Sequence, residues 1–208
     1  MQRGTRRPVA KPAASRTREL LLQESLGAPT PDFVEGDFGI LVDSREADPW
    51  QPPDDTHWSV VKLEQGDYSL ACYAARVAVE RKSLVDFMGS LFNPTNWPRF
   101  ERELERLRPL ELKMVVVETT AAAIRDGSFR VPKNSRIRDG EGRKWAEYLD
   151  RMSPERVISA ACVLHGQYGI PTFFAGSTAH ASRFAFRTLR AWWTAERARA
   201  LGKVQRGP

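Results

Sequence analysis

The sequence predicts an α/β fold in which a central mixed β-sheet is flanked by helices. Short β-type runs and turn residues dominate the first half of the chain, whereas strand and helix patterns alternate in the second half. The run from Met114 to Val117 is continuously apolar, which is typical of a strand covered on both faces. A length of 208 residues suits one such domain with tails.

Four strands are predicted in the first half of the chain, and the last two form a hairpin. In chain order they are Ile40 to Val42, His57 to Leu63, Tyr68 to Tyr73, and Arg76 to Glu80. The intervening Ala74-Ala75 is a chemically weak turn, so the sequence leaves the register of the hairpin open. The first strand leads directly into acidic residues, which suggests a functional site.

Capping residues mark the predicted helices. Ser83 is a suitable N-cap, and Asp86 three residues later completes a capping box, so we expect Asp86 to act as a cap rather than as a metal ligand. Trp97-Pro98 opens the next helix, which Pro109 helps to stop. The remaining predicted elements are a strand from Lys113 to Glu118, a helix from Ser153 to about Gln167, a strand from Ile170 to Phe174, and a helix from Ser177 to about Ala200.

Charge is unevenly distributed along the chain. Residues 1–18 carry six Lys and Arg and no acid, residues 183–208 carry seven against one acid, and the part between them has a net charge of −6. Basic ends around an acidic centre suit a protein that binds polyphosphate while keeping carboxylates in its site, although Arg-rich ends also merely aid solubility. We expect a disordered basic arm (1–35), a folded domain (36–200) and a basic tail (201–208).

Composition also bounds where the protein acts. No apolar stretch approaches the roughly 20 residues that cross a bilayer, and no signal-peptide core follows the basic N-terminus. Two cysteines are too few for a disulfide framework or a four-thiolate zinc site. The three histidines show no metal-binding spacing and are expected to be structural. An intracellular, cytoplasmic protein is therefore expected, associated with the nucleoid if it is bacterial.

The densest chemical signal is Gly66-Asp67, followed after twelve residues by Glu80-Arg81-Lys82. A hairpin returns the chain to its starting point, so an acid at its beginning and an acid-x-lysine at its end converge. Alternation along a strand places Glu80 and Lys82 on one face and Arg81 on the other.

Those residue types suit the hydrolysis of a phosphodiester. Asp67 and Glu80 are natural ligands for Mg²⁺, which activates water and neutralises phosphate charge. Lys82 would place a positive charge beside the attacking water or the phosphate. Asp43 and Glu46 are candidates for further ligands or for a second ion.

Taken together, three segments resemble the nuclease domain of the XPF-type structure-specific endonucleases. They are Val42-Asp43-Ser44-Arg45-Glu46, Gly66-Asp67-Tyr68 and Glu80-Arg81-Lys82-Ser83-Leu84-Val85-Asp86. The family hallmark is Gly-Asp, a spacer, Glu-Arg-Lys, three residues and Asp, and every fixed position is present. The resemblance extends more weakly over roughly residues 39–190.

The resemblance implies a restriction-endonuclease-like fold, Mg²⁺ or Mn²⁺ as cofactor, and branched or flapped DNA as substrate. The implied catalytic residues are Asp43, Glu46, Asp67, Glu80 and Lys82, with Asp43, Asp67 and Glu80 as metal ligands. The candidate DNA-binding residues are Arg45, Arg81, Lys133, Arg136 and Arg138. Family members usually carry a tandem helix-hairpin-helix module after this domain, and only about ten residues follow the terminal helix here, which leaves branch selectivity open.

Several alternatives stay open at this stage. Some relatives keep the fold as inactive scaffolding partners, so a non-catalytic DNA-binding module is the rival function. Arg45 and Arg81 either bind phosphate or pair with nearby carboxylates, and the basic stretch 125–144 is either a DNA contact or a solvated loop. Trp192-Trp193 either stack on bases or take part in packing or a subunit contact. Apolar residues on two sides of the C-terminal helices predict a homodimer, unless the arm or the 125–144 loop covers them.

Overall fold

The computed structural model describes residues 37–126 and 153–202. Six strands and five helices occur in these two ranges. In chain order they are β1 (Gly39–Asp43), β2 (His57–Val61), β3 (Tyr68–Leu70), β4 (Val77–Ser83), α1 (Leu84–Phe92), α2 (Trp97–Leu107), β5 (Leu112–Glu118), α3 (Ala121–Arg125), α4 (Pro154–Tyr168), β6 (Thr172–Phe174) and α5 (Thr178–Ala200). The predicted arm, most of the basic 125–144 stretch and most of the tail lie outside the described residues.

The strands form one mixed sheet in the order β2-β1-β3-β4-β5-β6. β3 runs antiparallel to both of its neighbours, whereas the other three pairs are parallel. The predicted hairpin is present as β3 and β4, with Tyr68 opposite Val79. The predicted α/β class with a mixed sheet is therefore confirmed.

Helices cover both faces of this sheet, and each face has its own core. Ala78, Val115 and Val117 point towards α1, α2 and α4, where they meet Phe87, Phe100, Leu104 and Leu164. Val77, Val79, Met114 and Val116 point the other way, towards α5, Trp50 and Tyr68. The alternation of β4 and β5 between these two cores decides which face each residue of the functional motif occupies.

The capping predictions are confirmed by backbone contacts. Ser83, Ser153 and Ser177 are the N-caps of α1, α4 and α5, and each side-chain oxygen accepts a hydrogen bond from the N–H three residues later. The Ser83 hydroxyl also donates to Asp86 Oδ2 over 2.7 Å. Asp86 therefore has the structural role that its position predicts.

The structure departs from the predictions in element length. β2, β3 and β6 are shorter than predicted, and α3 was not anticipated. α3 has only five residues after the Thr120 N-cap, which is too short to show a helical period in the sequence. No helix in the described ranges is long and apolar enough to cross a membrane.

Candidate active site

Backbone hydrogen bonds bring the acidic segments of three strands together. The N–H of Asp43, at the end of β1, donates to the Asp67 carbonyl over 2.8 Å, and the N–H of Asp67 donates to the Val79 carbonyl over 2.8 Å. The Asp67 carboxylate then accepts a bond of 2.7 Å from the N–H of Arg81. The predicted convergence of the two ends of the hairpin is therefore present.

Gly66 is the residue that allows this close approach. Its φ of +69° lies in the left-handed region, where a side chain is strained. A Cβ at this position would lie 2.9 Å from Ala78 Cβ and 3.0 Å from the Val79 carbonyl oxygen on β4. The Gly-Asp pair in the motif thus has a steric reason. Only glycine lets the chain turn this close to β4, and the turn places the next residue, Asp67, beside that strand.

Strand alternation separates Glu80 and Lys82 from Arg81, as predicted. Lys82 Nζ lies 2.8 Å from Glu80 Oε1, and both side chains are mostly buried on the α1–α2 face. Arg81 projects to the opposite face, where its guanidinium lies 5.3 Å from the centre of the Trp50 ring. The motif therefore delivers an acid–lysine pair to one face and an arginine to the other.

Asp67 is a buried carboxylate with a strongly raised pKa. Burial raises the pKa of Asp67 well above its ordinary value, and the neighbouring charges of Glu80 and Glu46 raise it further. The bond from the Arg81 N–H and the charge of Lys82 oppose this rise without cancelling it. Negative charge thus exceeds positive charge around this carboxylate.

Lys82 stays protonated in spite of its burial. Burial alone would lower its pKa, but Glu80, Asp67 and Glu103 together raise it above the ordinary value. Glu103 Oε2, on α2, lies 3.8 Å from Lys82 Nζ, which also lies 5.2 Å from the centre of the Phe100 ring. A permanent cation therefore lies beside the two carboxylates.

Asp43 is held by an arginine from its own loop. The Asp43 side chain is only 3% exposed, and its carboxylate accepts bonds from Arg45 Nε at 2.8 Å and from Arg45 Nη2 at 2.5 Å. The bond with Asp43 raises the pKa of Arg45, and Asp67 and Glu80 contribute to that rise. Arg45, which is 59% exposed, therefore lies within the field of all three acids.

Arg81 links the loop after β1 to the end of β5. Its Nε donates to Glu118 Oε1 over 2.8 Å, its Nη1 donates to Glu46 Oε2 over 3.0 Å, and the same Nη1 contacts the Asp48 carbonyl. Burial raises the pKa of Glu46, and Arg81 partly offsets this effect. Of the two roles left open for Arg81, the structure shows pairing with carboxylates.

Two residues of this network were not predicted from the sequence. Glu118 Oε1 also accepts a bond of 2.7 Å from Trp50 Nε1, and Glu118 Oε2 accepts one of 3.1 Å from Thr178 Oγ1. Trp50 stacks on Tyr68 at 4.9 Å between ring centroids. Glu118 follows a buried strand parallel to β4, and the carboxyl ends of parallel strands are where site residues gather. That signal was available in the sequence, whereas Trp50 had none.

Access to Lys82 is provided by a cleft between α1 and α2. Its volume is about 270 Å³, and its walls include Lys82, Asp86, Asn96, Arg99 and Glu103. Arg99 Nε pairs with Glu103 Oε1 over 3.0 Å at the mouth of the cleft. Glu103 is thus a further acid near Lys82, in addition to Glu80 and Asp67. It was not predicted from the sequence, because it comes from a separate helix.

The acids suit a hard divalent cation in part. Asp67 and Glu80 offer two carboxylates. Burial is the main cause of the raised pKa of Asp67, and a cation would offset the further rise that the charges of Glu80 and Glu46 produce. Mg²⁺ needs only one or two carboxylates when water and phosphate complete its shell. Within residues 37–126 and 153–202, however, no group of three or more His, Cys, Asp or Glu side chains is placed to hold a metal ion. The predicted trio of Asp43, Asp67 and Glu80 is therefore not gathered as a set of ligands.

Comparison with known families decides what kind of domain carries this site. The sequence pattern of the ERCC4 domain matches residues 42–187, which is most of the chain. The chain belongs to the ERCC4 domain family. This matches the resemblance to XPF-type nuclease domains that the motif residues indicated. No curated protein sequence matches the chain.

Two solved structures are similar to this fold. XPF from Aeropyrum pernix has 20% identity and a TM-score of 0.49, with 79% of this chain and 69% of that chain covered. XPF from Aeropyrum pernix in complex with DNA has 20% identity and a TM-score of 0.48, with 77% and 66% covered.

The five predicted catalytic residues lie at the same end of the sheet but not in one cluster: Glu80 pairs with Lys82 on one face, Glu46 pairs with Arg81 on the other, and Asp43 is paired with Arg45. Among the predicted DNA-binding residues, Arg45 is exposed and Arg81 is committed to Glu118 and Glu46. Lys133, Arg136 and Arg138 lie outside the described residues.

Proposed function

We propose that this ERCC4-family domain is a Mg²⁺- or Mn²⁺-dependent endonuclease that hydrolyses phosphodiester bonds in DNA. The observation that carries the proposal is the convergence of Asp67 and Glu80 at the end of β4, where Asp67 accepts a bond of 2.7 Å from the Arg81 N–H and Glu80 lies 2.8 Å from the buried Lys82 ammonium. Two carboxylates held close together repel each other, which lowers the stability of the fold. Binding of a divalent cation would offset that repulsion and is a functional reason for the arrangement.

Each residue has a separate task in this proposal. Asp67 and Glu80 would hold the cation, which would supply charge neutralisation at the phosphate and make the attacking water more acidic. Lys82 stabilises the negative charge that builds on the phosphate or on the attacking oxygen. Glu46, kept in place by Arg81, orients water at the edge of the site.

Asp43 and Arg45 complete the proposal as an exchangeable pair. Arg45 is largely exposed, so its side chain can leave Asp43 for a DNA phosphate at little cost in burial. That exchange frees the Asp43 carboxylate to face the cation. In this view, binding of the DNA backbone and completion of the metal site are coupled.

The finer proposals concern the substrate and the assembly. We propose branched or flapped DNA in repair or recombination as the substrate, on the resemblance to XPF-type enzymes. We further propose a homodimer through the C-terminal helices, because Ile158 and Val163 on α4 are 37% and 42% exposed. An apolar groove of about 620 Å³, which includes Val163, also opens between α4 and the α1–α2 pair.

A catalytically inactive scaffolding module of the same fold is the rival function. It predicts DNA binding without cleavage in any divalent cation. The test is to incubate the full chain with flap, fork, duplex and single-stranded DNA in Mg²⁺, in Mn²⁺ and in EDTA. Cation-dependent cutting that prefers the branched substrates supports the proposal, and binding without cutting of any substrate in either cation refutes it.

A further inference from the structure

A groove of about 270 Å³ lies along one flank of α5, away from the acidic site. Arg183, Arg187 and Arg190 line one side of it, and their spacing of four and three residues places them on one face of the helix. Phe38 and Phe186 contribute its apolar surface, and Thr56 also lines it. This surface is called the arginine groove below.

The charge of the arginine groove is not neutralised by the protein. Arg183 and Arg187 are exposed, and neither forms an ion pair or hydrogen bond with any described residue. Asp54 and Asp55 lie in the adjoining loop, yet neither pairs with these arginines. Arg183 and Arg187 are thus free to bind an external anion.

Arg190 differs from the other two because it is held in place. Its guanidinium lies 4.1 Å from the centre of the Phe38 ring, and its Nη2 donates to Thr56 Oγ1 over 3.4 Å. A guanidinium stacked on an aromatic ring forms one flat wall of the groove. The groove therefore combines free cations with a preformed apolar and planar surface.

That combination selects a nucleic acid over other polyanions. A purely acidic peptide such as polyglutamate would use the arginines but has no aromatic group to place on the Phe38 and Phe186 surface. A duplex keeps its bases stacked, so it presents phosphates and base edges but no base face. A single strand offers both phosphates and exposed base faces. Its phosphates bind arginine, while its unstacked bases bind apolar and aromatic surfaces.

The position of α5 connects this groove with the acidic site. Thr178, the first residue of α5, bonds to Glu118 at the end of β5. At a rise of about 1.5 Å per residue, the three arginines lie about 7 to 18 Å further along the helix. A strand with a rise of about 3.4 Å per nucleotide covers that distance in about five nucleotides.

We propose that the arginine groove binds a single-stranded DNA segment, with one unstacked base in the apolar cleft and its flanking phosphates on Arg183 and Arg187. This inference deepens the proposed function and rests on it for the identity of the polymer. The groove then holds the unpaired strand of a branched substrate outside the cleavage site.

The test measures binding of a labelled oligothymidine strand to the full chain carrying Glu80→Gln, so that binding is separated from cutting. In that background, Arg183→Gln with Arg187→Gln is compared with Arg102→Gln and Arg106→Gln. The control pair is also exposed, four residues apart on a helix, and without a partner among the described residues. Both double variants therefore lose the same charge.

We expect the α5 pair to weaken binding about tenfold at 0.1 M salt and to reduce the slope of log affinity against log salt by about 1.4, as for two lost phosphate contacts. The α2 pair should leave both quantities unchanged. Equal losses in both pairs, an unchanged affinity in the α5 pair, or no single-strand binding by the parent chain would overturn the inference.

Two further measurements test the chemistry of the ligand. Pro53→Trp should fill the cleft and reduce the preference for single strand over duplex by about fivefold without changing the salt slope. Polyglutamate at the same charge concentration should not displace the oligonucleotide. An unchanged preference, or displacement that depends on Arg183 and Arg187, would show an anion site of another kind.

Failure of this inference is distinguishable from failure of the proposed function. If the unmodified chain cuts no DNA while binding depends on Arg183 and Arg187, the proposed function is wrong and the groove stands. If the chain cuts DNA and the α5 pair binds normally, the groove is wrong and the proposed function stands.

Discussion

Asp67 is the residue at which the proposed function and the stability of the fold oppose each other. Its carboxylate is buried next to Glu80 and Glu46, so its pKa is raised well above the ordinary value. Because the folded state binds the Asp67 proton more tightly than the unfolded state does, raising the pH above about 3.9 costs the fold stability. The loss grows until the pH exceeds the raised pKa.

Asp67→Asn should therefore make the protein more stable at neutral pH. The difference in the free energy of unfolding between the variant and the wild type should vanish below about pH 4, where the wild-type carboxyl is protonated in both states. Urea unfolding at several pH values measures this difference. Added Mg²⁺ should stabilise only the wild type, since ligand binding favours the folded state. A variant that is less stable than the wild type at neutral pH would contradict this view of Asp67.

Glu118 acts on the site through Arg81. Its carboxylate holds both Arg81 Nε and Trp50 Nε1, and Arg81 in turn holds Glu46 while its N–H bonds to Asp67. We therefore propose Glu118 as a positioning residue, because its bonds go to Arg81 and Trp50 rather than to the acids themselves.

Glu118→Gln keeps the shape of the side chain but loses the charge that fixes Arg81. We expect kcat for cleavage to fall about tenfold, the effect of about 1.4 kcal/mol, with little change in KM. Glu111→Gln is the control, since Glu111 also pairs with an arginine, Arg76, but at an exposed position away from the site. Equal effects of the two variants on kcat would show that Glu118 has no specific role in positioning Arg81 for cleavage.

At the scale of elements, the junction between β4 and α1 shows how one short segment serves two purposes. Glu80 and Lys82 end the strand as site residues, and Ser83 begins the helix as its N-cap. Asp86 accepts a bond from the Ser83 hydroxyl and lies in the first turn, where negative charge is favourable. The final acid of the motif therefore anchors the helix that follows the site.

Asp86→Ala should reduce stability by about 1 kcal/mol while changing the rate of cleavage only modestly. The change in stability is opposite in direction to that expected for Asp67→Asn, which separates a cap from a site acid. Thermal unfolding and single-turnover cleavage of the same samples measure both effects. A rate loss of about 10³-fold with normal stability would instead identify Asp86 as a ligand.

Local patterns predicted the elements whose signals lie within a few residues. The alternation of β4 predicted that Glu80 and Lys82 share a face, and the serine caps predicted the starts of α1, α4 and α5. The parallel pairing of β1 with β2 was not predicted, because residues 44–56 connect them without a helix.

The missing parts of the site have a common physical cause. Glu118, Trp50 and Glu103 reach the motif from residues far away in the chain, through contacts that only the packed sheet creates. Residue types, strand spacing and motif resemblance all use residues that lie near one another in the sequence. They therefore indicated the five predicted catalytic residues but not the distant side chains that contact those residues. The pairing of Asp43 with Arg45 was only one of two open alternatives for that arginine.

At the scale of the whole molecule, the two C-terminal helices differ in how they use their apolar residues. On α5, Trp192 and Trp193 pack edge-on against Tyr73 and Phe38, so packing within the domain accounts for both. On α4, Ile158 and Val163 stay exposed although Val157 and Leu164 are buried. The exposed surface of α4, and not that of α5, is therefore where we propose the contact between the two chains of the homodimer.

Light scattering of the full chain should give about twice the chain mass of 23.5 kDa at micromolar concentration. Ile158→Glu should return the mass to that of one chain without unfolding, because a charge in an apolar interface is costly. Gln51→Glu adds the same charge at an exposed polar position in the loop between β1 and β2, away from α4, and should leave the dimer intact. A wild-type mass of one chain at high concentration would refute the homodimer.

We propose that Asp67 and Glu80 together hold the cation on which cleavage depends. The most direct test is the single-turnover rate on flap DNA in saturating Mg²⁺ for the wild type, Asp67→Asn and Glu80→Gln, with DNA affinity measured in parallel. We predict a loss of about 10³-fold or more in rate for each variant, equivalent to about 4 kcal/mol or more of transition-state stabilisation, with folding and DNA affinity largely intact. Near-normal cleavage by either variant would contradict the account.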